Sequence, residues 1–412
     1  MRALCAIAAV LLGCYGAEPS PACEVTPLAA PPTCETRPEL CGLRVTADLR
    51  QRDPALAVDL VFVSEGYAAD ELDAYHARAR ALLRGLEEDP RSIVGREPAR
   101  FNRYVVDLPA PQGVTSGDGV LDTPLRGCLQ RDAITPGGEA LLRAHPELVR
   151  FVARQNVPAA DVVVVLVNLP AGRANAPVAR GAESDLGVVL LARQHAAHVL
   201  DHELGHALVH LGDEYVDGGD CYGDGAQPPG FARAPGDWWS ELAETPNLTL
   251  DPSGARWAEV LPGAVSGGAR YARCVFHPTA RCRMGDDSRA PFCPVCDAAI
   301  ERTLRDVRAG VDNRPPRCGM YVPTTLTDGT ALVCPFARGA GGPVRIAVRG
   351  PDDARVFDGV YDPAAVSTAP SITLGRGCAR VSLPASGALA LTVSCWTVTG
   401  ARADNALTLR RD

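Results

Sequence analysis

Residues 202–215 read HELGHALVHLGDEY, and no other stretch restricts the fold as much. Residues four apart lie one turn apart on the same face of an α-helix. His202 and His206 therefore offer two imidazole nitrogens to one cation, with Glu203 beside them. Such a pair suits Zn²⁺, whose catalytic sites take three protein ligands and leave the fourth position to water. Zinc brings the pKa of that water down to about 7, and Glu203 is placed to take its proton and later return it to a leaving amine. The same helix carries His198 and His210, so spacing alone does not choose the ligands. The carboxylate directly after His202 does. His198 and His210 are expected to support or pack against the site, and His195 to lie outside it.

The third ligand must come from beyond the helix. Gly212 is expected to take the left-handed conformation that ends a helix and to turn the chain so that Asp213 or Glu214 reaches the metal; Asp213 is preferred. The whole stretch resembles the active-site signature of the IgA-peptidase family of zinc metallopeptidases (metallopeptidase family 64). These are metzincin-like enzymes whose signature runs HExGH, a short spacer, then DEY. The resemblance implies that Asp213 is the third ligand and that one catalytic Zn²⁺ serves peptide-bond hydrolysis. It also implies an α+β, zincin/metzincin-like domain, a twisted mixed sheet plus the active-site helix. Many metzincins carry Gly three residues after the second His, where this chain has Val209. The family's methionine turn corresponds to Met284 in Arg281-Cys282-Arg283-Met284-Gly285, shortly before Phe292-Cys293-Pro294-Val295-Cys296; the chain has three methionines in all. Metzincins that stabilise the oxyanion with Tyr place it two residues after that Met, where this chain has Asp286. Tyr215, Tyr222 and Tyr271 are the candidates here. Glu65-Gly66-Tyr67, between a strand and a helix, is similar to the opening of the same family's domain. In zincins, substrate commonly lies as an added strand along the sheet edge above the metal, which implies the loop and strand before the helix, residues 172–192.

At the N-terminus, Arg2 precedes an apolar run over residues 3–12 that is too short to span a bilayer and fits a signal peptide over residues 1–13. Leu11-Leu12-Gly13-Cys14 looks like a bacterial lipobox, which implies acylation of Cys14. The protein is therefore expected to be exported, either held at the cell envelope as a lipoprotein or secreted. Export favours disulfides among the 15 cysteines. Local pairs are Cys23 or Cys34 with Cys41, and Cys378 with Cys395. Cys274, Cys282, Cys293 and Cys296 either staple the methionine turn or, around the Cys-x-x-Cys, form a structural zinc site or redox pair.

A length of 412 residues allows two or three domains. Net charge of −8 argues against a nucleic-acid partner. Residues 15–56 are Pro- and Cys-rich and read as tether and entry segment, residues 57–308 as the catalytic domain, 309–322 as linker, and 323–412 as a small β-rich C-terminal domain. Strands are expected at 57–63, 103–108, 161–168 and 187–192, and helices at 70–88, 147–155 and 297–308. Residues 217–225, with alternating Asp and Gly, read as a loop. The functional expectation is an exported zinc endopeptidase acting on protein or peptide, touching a membrane only through its lipid anchor. The alternative is a surface lipoprotein that uses the scaffold for binding or adhesion without turnover.

Overall fold

Two strands without a polar face set the architecture. Val58–Glu65 and Val162–Val167 are buried at every residue, which requires cover on both sides of the sheet they share. The computed structural model describes residues 28–47, 52, 54–114, 119–131, 140–157, 159–172, 174, 186–219, 245–285, 288–309, 317–325, 330–338, 344–350, 354–361, 379–382, 388–396 and 402–410. The expected signal peptide, Cys14, Cys23, Tyr222, Cys378, and all but residues 172 and 174 of the loop 172–185 lie outside them.

In chain order the strands of the N-terminal part are β1 (Arg44–Ala47), β2 (Val58–Glu65), β3 (Phe101–Asp107), β4 (Gly119–Val120), β5 (Cys128–Arg131), β6 (Ala140–Arg143), β7 (Val162–Val167), β8 (Gly187–Leu191), β9 (Val216–Gly219), β10 (Val265–Gly268) and β11 (Arg270–His277). The helices are α1 (Leu72–Glu88), α2 (Ile93–Arg96), α3 (Pro146–Asn156), α4 (Ala197–Val209) and α5 (Pro294–Ala309). The main sheet runs β1-β3-β2-β7-β8. β3, β2, β7 and β8 are parallel, with Leu60 opposite Val162 and Val162 opposite Gly187, and β1 is antiparallel to β3. β8 forms one margin of this sheet and leads directly into α4.

Alternate side chains of each strand serve opposite faces. Leu60, Phe62, Val164 and Leu191 pack against Tyr75, Leu82 and Leu86 of α1 and Leu200, Leu204 and Leu208 of α4. Val61, Val63, Val165 and Leu190 pack against Leu148, Val149 and Val152 of α3. Each fully buried side chain of this kind stabilises by roughly 1.5–3 kcal/mol, so the sheet is the rigid floor on which α4 rests. The expected strands and helices are found with shifts of no more than three residues at their ends.

Two boundaries differ from expectation. Val216–Gly219 is a strand, β9, paired in parallel with β11; its Asp-Gly-Gly composition has the look of a loop, and backbone pairing to a distant segment makes it a strand. Within the stretch expected as linker, Arg317–Thr325 is already a strand, antiparallel to Thr330–Arg338. The remaining C-terminal strands complete that sheet with Ala379–Ser382 and build a four-stranded sheet of Arg355–Tyr361, Val344–Arg349, Ala388–Trp396 and Arg402–Arg410. A disulfide joins Cys34 to Cys41.

Candidate metal centre

Helix α4 is held close on three sides. A Cβ at Gly85 of α1 would lie 2.7 Å from Ala197 Cβ, one at Gly187 of β8 would lie 2.6 Å from the Ala207 carbonyl oxygen, and one at Gly205 would lie 2.8 Å from Met284 Sδ. The last contact places Met284, which is fully buried, directly beneath the HELGH turn. The helix ends in an αL-type cap: the His210 N–H donates to the His206 carbonyl at 3.2 Å, and the Leu211 N–H donates to that of Gly205 at 3.0 Å. The left-handed residue is His210, at φ 59°, and not Gly212 as the sequence suggests. Gly212 is needed for space, since a Cβ there would sit 2.3 Å from Leu248 Cδ1.

Three donor atoms converge after that turn. His202 Nε2 and His206 Nε2 lie 3.2 Å apart, and Asp213 Oδ1 lies 3.2 Å from the first and 3.1 Å from the second. Each imidazole is oriented by its other nitrogen: His202 Nδ1–H donates to the Arg283 carbonyl at 2.7 Å, and His206 Nδ1–H to the Leu211 carbonyl at 2.6 Å. With both Nδ1 atoms used as donors, both Nε2 lone pairs face the same point. A tetrahedral ion with bonds of about 2.0–2.1 Å has edges of about 3.3–3.4 Å between its ligands. The observed triangle matches one face of such a tetrahedron, so the residues present fit a zinc-sized cation.

The electrostatics agree. Burial alone would raise the Asp213 carboxyl, yet the two imidazoles beside it hold it well below the usual carboxylate range. Burial pushes His206 down, but Asp213 lifts it to about 9, and His202 is raised for the same reason. A proton and a divalent cation thus compete for one set of lone pairs. Glu203 is buried beside them, and its charge also contributes to raising both histidines. Glu214, the alternative ligand, turns away: its Oε1 accepts from Asn247 Nδ2 at 2.8 Å and from Cys296 Sγ at 3.3 Å. His195 is also outside the triad. Its Nδ1 accepts the Ala192 N–H at 2.9 Å, and burial, helped by Arg78, lowers it to about 4. His198 and His210 are not among the converging donors. Tyr215 is half-buried; the side chain of Tyr271 lies outside the described residues.

Three supporting groups have no local signature in the sequence. Asn247 is fully buried and clamps Gly212 on both sides, accepting its N–H at 2.8 Å and donating to its carbonyl at 2.9 Å. The Arg283 guanidinium is buried and bonds Asp201, Asp89 at 3.0 Å and the Ala290 carbonyl at 2.8 Å. Asp201, the residue before His202, also accepts the Ile93 N–H at 2.9 Å. The turn holding Met284 is tied to the Asp213 segment, because the Glu214 N–H donates to the Met284 carbonyl at 2.7 Å.

A family model described as IgA Peptidase M64 matches residues 48–262, just over half of the chain. The chain belongs to the IgA peptidase M64 family. The matched segment of this M64 peptidase holds the main sheet from β2 onward, α4 and the three converging residues. Met284, Arg283 and α5 follow it. No curated protein matches the sequence. A solved structure described as a chaperone–substrate complex is 18% identical over 43% of this chain and 29% of its own, with a TM-score of 0.20; this M64 peptidase spans less than a third of that chain, and the likeness carries no argument.

Proposed function

We propose that this M64 peptidase is an exported, zinc-dependent endopeptidase in which His202, His206 and Asp213 hold the metal and Glu203 is the general base and acid. The observation that carries the reading is the convergence of three donor atoms at 3.1–3.2 Å, each histidine locked by its far nitrogen. Zinc held there supplies Lewis acidity toward a peptide carbonyl and acidifies water. Glu203 takes the proton of the attacking water and delivers it to the amide nitrogen as the C–N bond breaks. Burial of Glu203 and His202, with the His206 side chain only 11% exposed, keeps solvent from screening these charges. The Arg283 carbonyl orients His202 and Met284 packs beneath Gly205, so both act as positioning groups. Residues 1–13 and the Cys34–Cys41 disulfide support export, and the lipobox-like residues 11–14 support an anchor at Cys14.

The test is a peptide-library digest by the purified chain with zinc content measured in parallel. Glu203→Ala is expected to keep the metal and to lower hydrolysis by roughly 10²–10⁴. Zinc-loaded wild type without turnover on any peptide would replace the enzyme with a binding protein on the same scaffold.

A further inference from the structure

Beside the first cluster, and facing away from it, lies a second. Ligand atoms of Glu214, Cys282, Cys293 and Cys296 all fall within 4.8 Å of one another, and all four residues are buried. These three cysteines are free thiols, with Cys282 Sγ and Cys296 Sγ 3.7 Å apart, so no disulfide joins them to one another; the side chain of Cys274, the fourth of the expected group, lies outside the described residues. The Cys293 N–H donates to Cys282 Sγ at 3.2 Å, so the backbone before α5 holds this sulfur in place. Cys293 and Cys296 bracket the start of the 16-residue helix α5, whose N-terminal dipole favours negative sulfur. Two polar atoms here have no hydrogen-bond partner, Glu214 Oε2 and His277 Nδ1; they lie 3.5 Å apart, in residues only 3% and 7% exposed. At that separation the imidazole and the carboxylate oxygen can steady one another, which leaves Glu214 Oε1 to face the sulfurs.

We propose that Cys282, Cys293, Cys296 and Glu214 hold a second, structural zinc ion, with His277 steadying the other carboxylate oxygen of Glu214. Three sulfurs and one oxygen make a closed tetrahedral set, the arrangement of structural and not catalytic zinc. The three thiols release their protons on binding. The ion ties the residue after Asp213 and the residue two before Met284 to α5, and so braces the first centre from behind. Its existence is independent of the peptidase reading.

The experiment is cobalt(II) reconstitution of the full chain, with metal content and non-reduced peptide mapping. Wild type is expected to bind two ions and to show a thiolate-to-cobalt charge-transfer band. The band should persist in His202→Ala/His206→Ala, which keeps one ion, and vanish in Cys293→Ser. Mapping of wild type alone should recover residues 282, 293 and 296 as thiols, which keeps the test valid if Cys293→Ser does not fold. A wild type with no thiolate band, or a disulfide between any two of the three cysteines, overturns the proposal. A chain with the band but no proteolysis keeps it and loses the peptidase reading.

Discussion

Asp213 and Glu214 are consecutive acids that serve two clusters of opposite character. Around Asp213 the donors are two imidazoles and one carboxylate, with the Asp213 side chain 24% exposed; around Glu214 they are three sulfurs, and every residue of that cluster is buried. A cluster with one open side can exchange a water for a substrate oxygen, whereas a closed one can only hold its parts together. One peptide unit thus divides chemistry from support, and the backbone between them is pinned by Asn247, Met284 and Ala269, whose N–H donates to the Asp213 carbonyl at 2.7 Å.

The contrast is broken most forcefully at Arg283. Arg283→Met would leave Asp201 as an uncompensated buried charge and is expected to destabilise by about 3–5 kcal/mol, read as a denaturation midpoint; Arg283→Met/Asp201→Leu should recover most of it. Recovery without restored activity would show that the ion pair positions His202 as well as stabilising. Asn247→Ala comes next, since it touches both clusters. A loss of roughly 1–3 kcal/mol is expected from its orphaned partners, with a 10–100-fold fall in zinc affinity by competition with a chelator. Unchanged affinity would mean that the Gly212 clamp does not set the open site.

Smaller effects test the frame around both. Glu65, at the end of β2, is wholly buried and raised from 4.5 to about 7 by burial, against hydrogen bonds from Thr123 and the Gly127 and Leu125 N–H groups. A folded pKa above the unfolded one means that its stabilisation is complete below pH 4.5 and lost as pH rises through about 7. Urea midpoints for wild type should decline over that window, and Glu65→Gln should flatten the decline. The mildest change is His210→Gly, which relieves a left-handed backbone at an exposed position and should stabilise by about 1 kcal/mol; a loss instead would show that the imidazole itself contributes.

Local pattern carried the parts of the molecule in which one short stretch decides its own fate. The valine run of β7 needs cover on two faces whatever surrounds it, and His202, Glu203 and His206 share a helical turn by spacing. The sequence prefers Asp213 to Glu214 and the family resemblance implies the same, but no local pattern shows why, because the groups that draw Glu214 away, Asn247 and Cys296, lie 33 and 82 residues further along. Gly212 misled for a related reason: glycine is used both for left-handed turns and for close packing, and Leu248 selects the second. Arg283 looks like a surface residue until Asp201, 82 residues earlier, is brought against it. The thiol state of Cys282, Cys293 and Cys296 likewise depends on where three separate backbones place sulfur.

The carbonyl that aims His202 belongs to Arg283, 81 residues downstream and past the point where the family match stops. A fragment trimmed to residues 48–262 would keep all three converging side chains and lose the hand that holds one of them. Recombinant pieces or domain grafts that carry the chain through α5, to residue 309, are expected to keep that carbonyl in place.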